Sequence, residues 1–316
     1  RNATSDPEAL KAYLAARAAM RRGSVDSAVT AIDRSVALDS TFALAWLESV
    51  QIYSWAQHMR GEPYSGLPER LDRAAAHAGS LTGRNRLRLE AMRALVMTRG
   101  DTAASALNRI LEMDSTDLQT WANLAYCHMV YGWQYGSGAA EAARAAERVL
   151  ALDSSYVPAL TTRAWLAVAM GDSAALQESR RALERRGGDS HLGRSTLEAL
   201  RALTVPDSLL PALSERLARQ GVGDWVGPYR YLRAAAPDRA ERMVRAATEV
   251  PDPQIAARVA GSRFRLGLAR GRVATLVREL ASGRYPGLAG GTGSRFLIAA
   301  ALAGVGDTAV AAREAE

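Results

Sequence analysis

"ALDST" at residues 37–41, "EMDST" at 112–116 and "ALDSS" at 151–155 are one phrase written three times, each closing an apolar helical pattern. The first closes "SVDSAVTAIDRSVALDS", where Ala28, Ile32, Ser35/Val36 and Leu38 recur at the three-four spacing of an amphipathic helix. Upstream, "PEALKAYLAARAAMRRG" reads as a second helix that stops at Gly23. Downstream, "TFALAWLESVQIYSW" opens another. The phrase is therefore a corner between helices. Asp39 or Ser40 is placed there to cap the helix that follows or to satisfy the last carbonyls of the one before.

The same grammar recurs along the chain. "RNRLRLEAMRALVMTRGD" precedes "TAASALNRILEMDST", "DLQTWANLAYCHMVYG" precedes "AAEAARAAERVLALDSS", and "YVPALTTRAWLAVAMGD" precedes "SAALQESRRALERRG". Asp114 and Asp153 are 39 residues apart, and Asp39 and Asp114 are 75 apart, close to twice that. A period in the thirties with two helices in each unit predicts a helical solenoid, because a single amphipathic pair cannot bury its faces alone. Beyond Gly187 the pattern weakens but continues, through "PDSLLPALSERLARQG", "GPYRYLRAAA" with "PDRAERMVRAATEV", "PQIAARVAGSRFRLGLARG" with "RVATLVRELASG", and "SRFLIAAALAGVGD" with "TAVAAREAE". The expected fold is all-α, a right-handed α-solenoid of about nine helix pairs with the last incomplete. Repeats are clearer over 1–187 and degenerate over 188–316, where the same solenoid continues. Three stretches break the period: Met59 to Leu71 and Tyr131 to Ala139, read as long loops, and the Gly-rich connection Ser282 to Ser294.

The helix pairs resemble tetratricopeptide (TPR) repeats. Trp121, Leu124 and Ala125 match the signature of the first helix, with His128 where an aromatic would stand. Trp46 and Tyr53 match it in the second repeat, while Ser49 and Val50 depart from it. Ala28, Ile32, Ser35 and Ala142 match the second-helix positions, and Asp-Ser replaces the Asp-Pro corner at Asp39, Asp114 and Asp153. The phrases "SVALDSTFALAW", "NRLRLEAMRALVMTRGD" and "TWANLAYCHMVYG" are also similar to the C-terminal TPR regions of large bacterial regulatory proteins, which follow a kinase or a DNA-binding helical domain. That resemblance implies an interaction or sensing module.

Little in the sequence reads as a reaction. Histidines 58, 77, 128 and 191 are scattered, and Cys127 is the one cysteine, so no internal disulfide or cysteine-cluster metal site is expected. Cys127 and His128 are neighbours in sequence and point in different directions from a helix. "GVGDWVG" at 221–227 lacks the spacing and the preceding strand of a dinucleotide loop, and "GGTGS" at 290–294 lacks the lysine of a phosphate loop. "RGD" at 99–101 falls at a helix-end turn. No cofactor, no metal and no catalytic group is expected. The formal charge is +7, and all but one of the 40 basic residues is arginine, the exception being Lys11. These guanidiniums are either a solvated cover over helix surfaces or a surface for phosphate or carboxylate. Their spread along the whole chain makes nucleic acid an unexpected partner. No apolar run reaches the length of a membrane span. The chain begins at Arg1 without Met, so an upstream segment is expected to have been removed or left out, and the compartment stays open.

The function expected is a non-catalytic scaffold that binds protein or peptide on the concave face. Tyr13, Arg17, Gln51, Tyr126 and Trp165 fall on first-helix positions that line that face, and Trp133 and Tyr135 lie on the long loop. Trp46, Tyr53 and Trp121 are read as packed between helices. The alternative is a structural subunit that assembles head to tail into a filament or larger homo-oligomer through open solenoid ends.

Overall fold

Alanine, leucine and arginine fill the periodic stretches, and all three are strong helix formers. The computed structural model describes residues 4–60, 66–220, 222–248, 250–272, 275–276 and 279, and holds no strand among them. Its helices run in pairs: α1 (Pro7–Arg21) with α2 (Val25–Leu38), α3 (Ala43–Arg60) with α4 (Leu67–Ala76), α5 (Gly83–Val96) with α6 (Gly100–Met113). Next come α7 (Leu118–Tyr131) with α8 (Ala139–Leu152), α9 (Val157–Met170) with α10 (Ser173–Arg186), and α11 (His191–Thr204) with α12 (Leu210–Gln220). After α13 (Val222–Ala235) and α14 (Pro237–Ala247), α15 (Pro253–Ala269) opens an eighth pair. The all-α repeat architecture read from the sequence is the one observed. The last expected pair, and the Gly-rich stretch 282–294, lie outside the described residues.

The chain divides into two compact units, Arg1–Glu198 and Ala199–Glu316. In the first, every pair through α9 and α10 packs internally, and the second helix of each pair packs on the first helix of the next. Small side chains let the backbones approach. Ala9, Ala16, Ala19 and Ala28 are buried at the α1–α2 seam with Tyr13, Met20 and Ile32. This unit also curls until its beginning meets its end. Arg21 Nε lies 2.6 Å from Asp153 Oδ2, and the Gly23 carbonyl accepts from the Leu192 amide at 3.4 Å. Gly23 has φ +74°, and a Cβ there would sit 2.7 Å from Val157 Cγ1, so the contact requires glycine.

The second unit has its own core, in which Leu210, Leu217, Leu232, Met243 and Ile255 surround Trp225. Trp225 is fully buried. Its ring stacks on Tyr229 at 5.2 Å between centroids, and its Nε1 donates to Ser214 Oγ at 3.0 Å. The sequence pattern opens this helix at "GPYRYLRAAA", with Gly227 its first residue. The helix instead starts at Val222 and carries Pro228 in its interior, so the stretch 221–227 is largely helical and Trp225 is a core anchor.

Of the two roles read for the corner Asp residues the structure shows the second, satisfying the helix before: the Asp39 and Asp114 amides donate to the Ser35 and Ile110 carbonyls. Asp39 and Asp114 stand at the C-caps of α2 and α6, and each Oδ1 accepts from both the amide and the hydroxyl of the threonine two residues on. The caps of α7 and α10 are the later Asp117 and Asp172. The long loop expected over 59–71 is shorter: α3 runs to Arg60 and α4 begins at Leu67.

Candidate binding groove in the first unit

The first helices α3, α5, α7 and α9 of successive pairs, together with residues of α4 and α8, border a hollow of about 220 Å³. Its deeper walls are Val50, Met92, Leu95, Ala125, Val149 and Ala159, all buried. Around them stand half-buried residues that carry the hollow toward solvent: Ser54, Trp55, Ala122, Tyr126, Met129 and Thr162. Gln51 and Asn123 supply buried amides. Among the described residues that line it, none carries a charge.

The charges of this inner region are instead joined to one another. Glu48 Oε2 accepts from Arg88 Nη2 at 2.8 Å, with both side chains nearly buried. The same Arg88 nitrogen donates to Gln51 Oε1 at 3.3 Å. A carboxylate placed here without its guanidinium would be a costly buried charge, and the pairing offsets part of that cost. Tyr156, also buried, lines the cavity. Burial and the neighbouring Glu48 carboxylate push its hydroxyl above the ordinary tyrosine range, against a hydrogen bond with Gln119 and the guanidiniums of Arg88 and Arg17.

The seven residues chosen from the sequence fall in different settings. Gln51 and Tyr126 line the cavity. Tyr13 is buried against the Phe42 ring at 5.2 Å, and the exposed Arg17 guanidinium stands 5.8 Å from the Tyr13 ring centre. Trp165 is half-buried on α9, one turn beyond Thr162, outside the set that lines the cavity. Trp133 is 78% exposed in a short 3-10 helix over Gly132–Gln134. Tyr135 is half-buried, and its hydroxyl lies 3.3 Å from Cys127 Sγ and 3.1 Å from His128 Nδ1. Trp55, Met92 and Asn123 were missed. They sit off the signature positions, and only the stacking of three successive pairs shows that they face one hollow.

The Cys127–His128 pair points apart, as adjacent helical positions do, yet Tyr135 touches both. Cys127 is fully buried and gives its thiol hydrogen to the Gly100 carbonyl at 3.3 Å. Burial holds that thiol above its ordinary range, the opposite of an activated nucleophile. A wider hollow of about 660 Å³ between α7, α8 and α9 is bordered by Glu141, Arg144, Glu147 and Arg163. There Arg144 pairs with Glu141 at 2.8 Å, and Arg163 pairs with Glu147 at 3.3 Å. Among the described residues no group of three potential metal ligands converges. No described helix is long and apolar enough to cross a membrane.

No family model matches this sequence, and no curated protein matches it. The solved structures that align with it include two TPR proteins. One is YrrB, described as a TPR protein with an unusual peptide-binding site, at 14% identity and a TM-score of 0.33, covering 62% of this chain and 92% of that one. Another is the TPR domain of P58(IPK), at 15% identity and a TM-score of 0.33, covering 98% of this chain and 82% of that one.

Proposed function

We propose that this chain is a non-catalytic scaffold that binds a protein or peptide segment on the inner face of its first unit. The observation that carries the reading is the charge-free hollow between α3, α5, α7 and α9, with half-buried aromatic side chains leading to it. Rigid helices hold those side chains in place before a partner arrives, which lowers the ordering cost of association. The site is read as a binding surface because its described lining holds no carboxylate, histidine or cysteine, and the nearby Glu48 and Arg88 are paired with each other. A general base or an activated nucleophile would need such a group free. The likeness of the corner phrases to the TPR regions of bacterial regulators supports reading this binding as part of a sensing or regulatory function.

The test is a photo-crosslinking amino acid at position 126, within the groove, and at position 109, where Arg109 is exposed on α6. Crosslinks formed in the native host at 126 and not at 109 are the expected result. Equal labelling at both positions, or none at 126, would remove the groove assignment. Arg17→Ala and Trp165→Ala are expected to weaken capture of the same partner without loss of helix content, read by circular dichroism. Head-to-tail assembly is the competing reading, and a single sedimenting species across a concentration series would count against it.

A further inference from the structure

The cavity between the first helices is of a particular size and chemistry. At about 220 Å³ it exceeds the roughly 150 Å³ that admits benzene in an engineered apolar core. It falls short of the ~300–1,000 Å³ of pockets that enclose a whole drug-sized ligand. The space suits one large side chain. The lining excludes a charged one. An ammonium or carboxylate moved there from water would meet no counter-charge among the described lining residues, because Glu48 and Arg88 are paired with each other at 2.8 Å and neither borders the hollow.

We propose that the groove is an anchor pocket for a single bulky, uncharged apolar side chain of the partner segment, aromatic by preference, with Gln51 and Asn123 reading the polar edge beside it. Trp55 and Tyr126 supply aromatic faces, and rings in such a pocket gain from edge or offset contacts beyond their area. Met92 and Met129 supply polarizable walls that adapt to a planar ring. Gln51 Oε1 is held by Arg88, which leaves its Nε2 to donate. Asn123 Oδ1 accepts from Gln119 at 3.5 Å and its Nδ2 donates to Met92 Sδ at 3.9 Å, so its oxygen has a second lone pair for an indole N–H, a phenol or a main-chain amide. The pocket therefore takes its partner by an internal or terminal residue with equal ease, since nothing in it recognises a terminal carboxylate. This specificity rests on the groove reading given above.

Side-chain analogues test it directly. Methyl NMR of the whole chain with labelled methionine observes Met92 and Met129 in the lining, with the exposed Met97 and Met113 as internal controls. Toluene and indole should shift Met92 and Met129 saturably and leave Met97 and Met113 in place. Phenylacetate and indole-3-acetate, the same rings with a carboxylate, should bind at least about tenfold more weakly. Ala122→Trp, which fills the hollow from α7, should abolish the shifts, and Ser54→Trp does the same from α3 if the first variant does not fold. No saturable shift with either neutral ring, or equal binding of the carboxylates, would overturn the proposal. A crosslink at position 126 together with silent methionines removes the anchor and leaves the groove, whereas failure of the crosslink removes the groove itself.

Discussion

Trp46 and Trp121 show what the repeated phrase does at the scale of single residues. Each indole Nε1 donates to the carbonyl of the serine in its own corner, Ser40 at 2.8 Å and Ser115 at 2.9 Å. The Asp carboxylate holds the threonine, the turn exposes the serine carbonyl, and the tryptophan seven residues after the Asp closes the corner. The third copy keeps Asp153 and Ser155 but has Leu160 where the tryptophan would stand. Trp121 is half-buried, and Arg148 lies 5.6 Å from its ring centre. Trp121→Phe, which keeps a ring and loses one hydrogen bond, should lower stability by roughly 0.5–1 kcal/mol, and Trp121→Ala by about 3 kcal/mol, both read by denaturant titration. The corner carboxylates add a pH dependence. Hydrogen bonds from Thr4 and Thr41 hold Asp39, and hydrogen bonds from Thr116 hold Asp114, below the ordinary value of 3.8. Their contribution is present above that value and is lost as the pH falls through the folded-state values. His128 acts at milder acidity. Burial pushes it below 6.5, opposed by the Glu141 carboxylate and aided by the Arg144 guanidinium. Its ring nitrogen is engaged by Ser137 Oγ at 2.6 Å. The unfolded chain therefore takes up a proton first, and stability should decline as the pH drops below about 6.5. Thermal melts of the parent chain and His128→Gln should diverge above that point and converge below it.

At the scale of elements, the stretch 131–139 is the informative case. Its excess length was legible in the sequence, because five residues interrupt a regular period; its docking was not. The Gly100 amide donates to Gln134 Oε1 at 2.8 Å, and Gln134 Nε2 donates to the Thr98 carbonyl at 3.0 Å. The stretch is thus fastened to the α5–α6 turn, leaving Trp133 outside. A Cβ on Gly100 would meet Tyr131 Cβ at 2.4 Å and Gln134 Oε1 at 2.9 Å, so this glycine permits a close approach that no local pattern announces. Gly100→Ala should cost roughly 1–3 kcal/mol in chemical denaturation. Gln134→Ala should raise hydrogen exchange at the Gly100 amide with a smaller loss of stability. Trp225 teaches the same lesson in the second unit. Periodicity found the helix, but the stretch read as helical began at Gly227 and left out the tryptophan that fills the core.

At the scale of a whole unit, the local order of helices was readable, and the closure of the first unit on itself was not. Solenoid contacts join neighbours in sequence, so a recurring phrase predicts them. The contacts of Gly23 with Val157 and Leu192 join residues far apart in the chain, and no period encodes them. They also explain why the inner face is a small hollow with a buried ion pair. A unit whose first pair returns to its fifth brings Tyr13, Glu48, Arg88 and Tyr156 within electrostatic reach of one another. Asp153 is the hinge of this closure, because its carboxylate serves two elements. Burial alone would raise its pKa, but the Ser155 hydroxyl and amide and the Arg21 guanidinium bring it below the ordinary 3.8. Asp153→Asn keeps the acceptor for Ser155 and removes the charge opposite Arg21, so it isolates the closing contact from the corner. We expect faster hydrogen exchange in α1 and α2, with α5 and α6 unchanged. Gly23→Ala, which combines a left-handed backbone with a 2.7 Å clash against Val157, should produce the same pattern more strongly, at a cost of about 2 kcal/mol. Uniform exchange across α1 to α10 in either variant would mean that the first unit opens as one body, and that the contact between its ends is a consequence of the fold with no share in holding it.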